Sequence, residues 1–434
     1  MRRFQKDPGM KLIRLLVPVA LVALATPAWS ATLTYPGAAP CDTTLQACIT
    51  GAASGDVVEI ATNTPIDENL AINKSLTLQP AAGYSPTIGG GATFRIVSFS
   101  NLGSSGSAET LLIERLSFSL AQVSGLVSQA SGHSVTIRDN VFFLEIANNN
   151  TPSVEIDARV PLTGVVSGNR ITSIGQGIRL WAITATSEAI DYTVERNVID
   201  TSLPAESNIG ISADFRGQGS YTLRAFSNVV DRVGGCNCGL NAGILLLVLQ
   251  TPQVVASLTN NTVNGTQTAN GFVFRVDDPG ATVTINLFNN IASGGDRSGY
   301  TVSNSGGASI TLVADENDSW NNGIPDNFAG LPSGTVRNKN PQYVNAGAGD
   351  LRLQPTSPMI NSGVDAPPGG TSALDAGGAA RIQGAAIDIG AYEQAIRVAV
   401  VEPVPAVGPQ GLAGLALLLL GAAGLAFRSR RSVR

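Results

Sequence analysis

Through the middle of the chain, short runs of alternating apolar and polar residues end again and again in asparagine. They span Val135–Asn140, Gly164–Asn169, Tyr192–Asn197, Leu223–Asn228, Ala256–Asn261, Ile285–Asn290 and Leu312–Asn317. Successive asparagines are 29, 28, 31, 33, 29 and 27 residues apart. Three positions before each one the residue is apolar: Ile137, Val166, Val194, Ala225, Leu258, Leu287 and Ala314. Two positions after, Phe142, Ile171, Ile199, Val230, Val263 and Ala292 are apolar as well. A period of two within each run predicts strands. No amphipathic helical stretch separates them, so βαβ units are excluded. Strands that recur every ~30 residues without helices bury their faces only against the same strand of the neighbouring coil.

This pattern predicts a parallel β-helix in which Asn140, Asn169, Asn197, Asn228, Asn261, Asn290 and Asn317 form a structural ladder. Asparagine tolerates a left-handed backbone turn, and its amide can hydrogen-bond a stacked copy about 4.8 Å away. A second signal is a Gly-apolar pair opening another strand: Gly177-Ile178, Gly210-Ile211, Gly243-Ile244, Gly271-Phe272 and Gly299-Tyr300. From each glycine to the next asparagine the distance is 20, 18, 18, 19 and 18 residues, whereas from asparagine to glycine it is 8, 13, 15, 10 and 9. Length variation therefore falls on one corner of the coil, and loops stacked there can wall a groove.

These residues resemble the right-handed parallel β-helix repeat family, which includes pectate lyases, polygalacturonases and many surface proteins. The resemblance covers about residues 40–335. Thr44–Ile49, Ser54–Val58 and Asn73–Leu78 are similar to that family's first coils. Asn340-Pro341, Asp350–Leu353, Ser357–Gly363, Arg381 and Asp388–Glu393 resemble the choice-of-anchor Q domain of exported bacterial proteins. Because an open β-helix end is an unpaired strand stack, this segment is expected to cap it.

Both chain ends carry targeting patterns. Lys11 and Arg14 precede an apolar run, Leu15–Ala25, that reaches Ala28-Trp29-Ser30. Small residues at −3 and −1 predict signal-peptide cleavage between Ser30 and Ala31. At the other end Pro403, Pro405 and Pro409 lead into Gly411–Phe427, which carries no charge, and Arg428, Arg430, Arg431 and Arg434 follow. The apolar stretch sits at the short end of what spans ~30 Å of hydrocarbon, and the arginines stay on the cytoplasmic side. The tail resembles CTERM sorting signals, which imply a membrane sorting protease, although Val404–Gly408 departs from their Pro-Glu-Pro motif.

The fold expectation is thus all-β: a single-stranded right-handed parallel β-helix with a C-terminal cap and one C-terminal transmembrane helix. Its parts are a signal peptide (1–30), the β-helix (31–335), a choice-of-anchor Q-like cap (336–394), a Pro-rich linker (395–410), a membrane or sorting helix (411–427) and a basic cytoplasmic tail (428–434).

Charge sharpens this picture. The formal net charge of −5 becomes −13 once the +4 of residues 1–30 and the +4 of residues 428–434 are set aside. A nucleic-acid partner needs a basic stripe, so that class is excluded. Four cysteines in an exported chain point to disulfides: Cys41 and Cys48 near the start, Cys236 and Cys238 in a Gly-rich loop. The sole histidine, His133, has no partners for a zinc site, and a turn role fits it.

Catalytic residues are not marked. Beyond the leader the lysines are Lys74 and Lys339, outside the central coils, and Arg216, Arg224 and Arg275 are undistinguished substitutes for a lyase base. Asp277-Asp278 precedes Pro279-Gly280, the context of a turn. Asp315, Glu316 and Asp318 offer oxygen ligands for calcium, the alternative being solvated turn charges; no other cofactor is expected. Trp181 and Trp320 are candidates for stacking on sugar rings. The function expected is a surface-anchored structural or binding protein that recognises carbohydrate or another cell surface. A polysaccharide lyase or glycoside hydrolase on the same scaffold is the alternative.

Overall fold

Residues one period apart lie side by side. Ile137 is opposite Val166, Val166 is opposite Val194, and the file runs on through Ala225, Leu258, Leu287 and Ala314. Phe142, Ile171, Ile199, Val230, Val263 and Ala292 make a second file that closes on Ser319. Ile178, Ile211, Ile244, Phe272 and Tyr300 make a third. These files line three parallel sheets, here A, B and C, of eleven, ten and nine strands, which the chain visits in turn as a right-handed solenoid. The computed structural model describes residues 30–91, 93–144, 151–173, 175–185, 187–201, 209–234 and 241–395. Cys236, Cys238 and the expected helix 411–427 lie outside them. Among the described residues no helix is long and apolar enough to cross a membrane.

Between Arg138 and Ile291 each A-to-B corner is two residues long, and its geometry corrects the sequence reading. The left-handed residue is the one before each ladder asparagine: Asp139, Gly168, Arg196, Ser227, Asn260, Asn289 and Glu316, with φ from 51° at Glu316 to 65° at Gly168. That residue reverses the chain, and the asparagine after it turns its side chain inward. The Asn197 amide nitrogen donates to the Val166 carbonyl of the preceding coil (2.8 Å) and to Asn228 Oδ1 of the next (3.0 Å). Its own Oδ1 accepts from the backbone and side-chain nitrogens of Asn169. The same links run from Asn140 to Asn317, and all seven asparagines are fully buried. Buried amides satisfied in this way rigidify the stack.

At the B-to-C corner the chain passes close to the sheet B file. A Cβ on Gly210 would lie 2.3 Å from Val230 Cγ1 and 2.7 Å from the Gly243 carbonyl oxygen, which accounts for the Gly-apolar pairs. The expected length variation also falls here, between the ends of sheet B strands and the starts of sheet C strands.

The ends are closed differently from the sequence reading. Leu45–Gly51, expected as part of a first coil, is a helix capped by Thr44, and it buries Leu45, Cys48 and Ile49 over the first coil. A Cys41–Cys48 disulfide ties it down. At the other end the core is covered by residues inside the span assigned to the β-helix: Phe328, stacked 6.1 Å from Tyr300, and Leu331.

Residues 341–394 are therefore not an end cap but a lateral clasp over the A–B corner. Asn260 donates to the carbonyls of Asp388 and Gly390, Asn289 exchanges hydrogen bonds with Val364, and Arg381 donates to Ser227 Oγ (2.6 Å). Met359, Leu353 and Ile389 pack on Ile291, while Leu351 and Ala391 pack on Val229. Within the clasp, Arg381 pairs with Glu393 at 3.1 Å, both almost completely buried.

Replacing Asn197 by Ala strands the Val166 carbonyl and the Asn169 N–H in a dry site. At about 1–3 kcal/mol per orphaned group, a loss of about 3–5 kcal/mol is expected. The measurement is the denaturant midpoint with folded-state circular dichroism as control; a loss below about 1 kcal/mol would remove the ladder's structural role.

Candidate functional site

A strand of sheet C turns every second side chain outward. On Gln176–Thr184 these are Arg179, Trp181 and Ile183, while Ile178, Leu180 and Ala182 are fully buried in the core. Register brings Asp157 of the preceding coil and Asp214 of the following one beside Trp181. The guanidinium carbons of Arg179 and Arg216 stand 5.5 and 5.4 Å from the centre of its ring. Trp181 is half-buried. Its indole thus occupies the middle of a patch drawn from three consecutive coils.

The ionised groups of this patch are paired with one another. Arg159 forks onto Asp157 at 2.8 and 2.9 Å, and Arg216 onto Asp214 at 2.8 and 2.6 Å. Arg179 bonds Glu155, whose other oxygen accepts from Ser124 and Gln122. Three coils beyond Trp181, Arg275 pairs with Asp277 at 2.6 Å. Bonding to Asp157 and Asp214 raises the affinity of Arg159 and Arg216 for their protons. Two residues beyond Trp181 the face opens into a groove of about 480 Å³, lined by Ile183, Thr184, Ala185, Gly217, Gln218, Gln250 and Thr251. Farther along, the outward side chains turn apolar: Leu245, Leu247 and Val273 form a small cluster of their own with Ala242.

Of the residues singled out from sequence, Trp181, Arg216, Arg275 and Asp277 lie on or beside this face. Arg224 is on sheet A. Asp277 also accepts from Ser305 Oγ, and Asp278 takes the backbone N–H of Gln250, so this pair holds the C-to-A turn. Trp320 stands at the end of sheet B, beside a second cavity of about 660 Å³ that includes Asp326 and Arg337. The partners Glu155, Asp157, Arg159, Arg179 and Asp214 went unread in the sequence. Their signal was present: in Asp157-x-Arg159 and Asp214-x-Arg216 the i, i+2 spacing puts both side chains on one face of a strand.

The acidic candidates for calcium do not converge. Asp315 Oδ1 accepts the N–H groups of Glu316 and Thr335, Glu316 pairs with Arg337, and Asp318 is buried beneath Lys339, whose N–H it accepts. Among the described residues no group of three or more His, Cys, Asp or Glu side chains is placed to hold a metal ion. His133 is buried; Nδ1 accepts the Glu109 N–H at 3.1 Å and Nε2 lies 2.7 Å from the Gln129 carbonyl oxygen, so its proton sits on Nε2. Ser30 and Ala31 begin the described chain: Ser30 Oγ donates to the Gly55 carbonyl, and the Ala31 nitrogen donates to Asp56 Oδ1 at 2.8 Å.

No family model matches this chain, and no curated protein matches it. Among solved structures, that of the pectate lyase Pel9A is similar at 13% sequence identity and a TM-score of 0.39, covering 84% of this chain and 96% of that one.

Burial pushes Asp318 up to about 7, and its Oδ2 has no hydrogen-bond partner. The folded state thus keeps a proton that the unfolded chain has released by about pH 4. Stability from this group is present at low pH and lost as pH rises through about 7. Asp318→Asn mimics the protonated acid, so the variant should gain on the parent between pH 4 and 8, by on the order of 2–4 kcal/mol. Paired denaturation curves across that range test this; a gap that does not change with pH would refute it.

Proposed function

We propose that this protein is an exported β-helix held at the cell surface or outer envelope, and that the outer face of sheet C binds carbohydrate chains. The observation that carries the reading is Trp181, an indole set among fully paired charges beside a groove of about 480 Å³. An aromatic platform next to hydrogen-bonding side chains matches the alternating apolar and hydroxylated faces of sugars. A lyase needs a basic side chain free to take a proton from its substrate, and the arginines around Trp181 are each held by a carboxylate, which favours binding over elimination.

Export is supported by the leader-like residues 1–30 and by the position of Ala31. Cleavage before Ala31 converts an amide N–H already aimed at Asp56 into an ammonium group facing a carboxylate, a stronger contact. In the same reading residues 336–394 are a choice-of-anchor Q-like unit, 395–410 a linker and 411–427 the segment that enters the membrane or is cut by a sorting protease.

Expression in a host that secretes proteins, followed by mass spectrometry, should give a chain beginning at Ala31; a retained leader would overturn the export reading. Glycan-array binding of that chain should fall at least tenfold in Trp181→Ala with the circular dichroism unchanged. Unsaturated or reducing ends appearing from uronic-acid polymers would instead make the face an active site.

A further inference from the structure

Resting on that reading, the pairing of the charges defines the ligand more narrowly. We infer that sheet C takes uncharged polysaccharide, seated against the part of Trp181 that the guanidiniums of Arg179 and Arg216 leave exposed, with hydroxyls bonded by Gln218, Gln250 and Thr251.

The first argument is that each guanidinium beside the tryptophan already has a carboxylate. Arg159 and Arg216 are held bidentately by Asp157 and Asp214, and Arg179 by Glu155. The planar fork of arginine is the usual receptor for a uronate or sulfate group, and here it is filled from within. An acidic sugar would have to displace an aspartate and then sit beside it, replacing one attraction by a repulsion between like charges.

The second argument is the field. The three cations and three anions around Trp181 cancel, and the chain between its basic ends carries −13, from the −5 total less +4 at each end. Such a surface slows a polyanion's approach instead of steering it.

The third is the groove. Among the described residues its lining contains no ionised side chain: it offers the amides of Gln218 and Gln250, the hydroxyl of Thr251 and the apolar edges of Ile183 and Ala185, while the Thr184 hydroxyl is spent on Tyr221 in the core. Amides and hydroxyls both donate and accept, as sugar hydroxyls do. From the coil of Ile183 to that of Gln250 is two strand spacings, about 9–10 Å, room for more than one sugar ring along the solenoid axis.

The test is calorimetric titration of the full secreted chain with soluble neutral glucan and mannan, and with polygalacturonate and alginate, at 20 and 500 mM NaCl. A neutral glycan should bind with less than a twofold change between the two salts, and Trp181→Ala should weaken it at least tenfold. Asp214→Asn frees Arg216 without removing a ring or a groove residue, and it should raise affinity for polygalacturonate at least fivefold at low salt. Tighter binding of an acidic polymer by the parent chain, lost at 500 mM NaCl, would overturn the inference while leaving a carbohydrate-binding face in place. Binding of neither class would overturn both.

Discussion

A single coil of this protein has nothing to fold against. Its strands lie on three different sides of the solenoid and do not pair with one another, so their backbone groups are satisfied only by the coil before and the coil after. That constraint makes register the governing quantity. A shift of one residue would turn every inward side chain out. The asparagine file is what prevents such a shift at the tightest corner. Each amide grips a carbonyl of one neighbouring coil and an amide of the other, so three coils are locked to a common position.

Much of this was legible from residue spacing because the same physical task recurs in every coil. The inward files beginning at Ile137 and Phe142 can be read from offsets to asparagine alone. The details that could not be read are those with no periodic signature. Any of Asp139, Gly168, Arg196 or Ser227 can occupy the left-handed position, so composition does not mark it, and the ladder asparagine was the more conspicuous neighbour. The helix Leu45–Gly51 is a single event at one end, with no second copy to betray it.

The clasp shows the same limit more sharply. The partners of Asn260, Ser227 and Thr262 lie 128, 154 and 129 residues away in sequence, and the joints are polar contacts at turn residues, which read as surface. Under the clasp the corner positions are the uncharged Ser227, Asn260 and Asn289. In the preceding coils the same corner position carries Asp139, Gly168 and Arg196. The candidate face on sheet C was half legible. Trp181 drew attention by its type, but its charged neighbours became visible only when coils were aligned at the strand register. Once aligned, the salt-bridged arginines and aspartates read as a neutral lattice around one aromatic ring.

The clasp also fixes where the chain departs from the solenoid. Its last described residues follow Tyr392, which packs near Val198 and Val229, partway along the barrel and over the A–B edge. Sheet C is the remaining side of the triangular cross-section. Whatever is joined downstream of Ala395 therefore starts midway along the body and at the back of the indole.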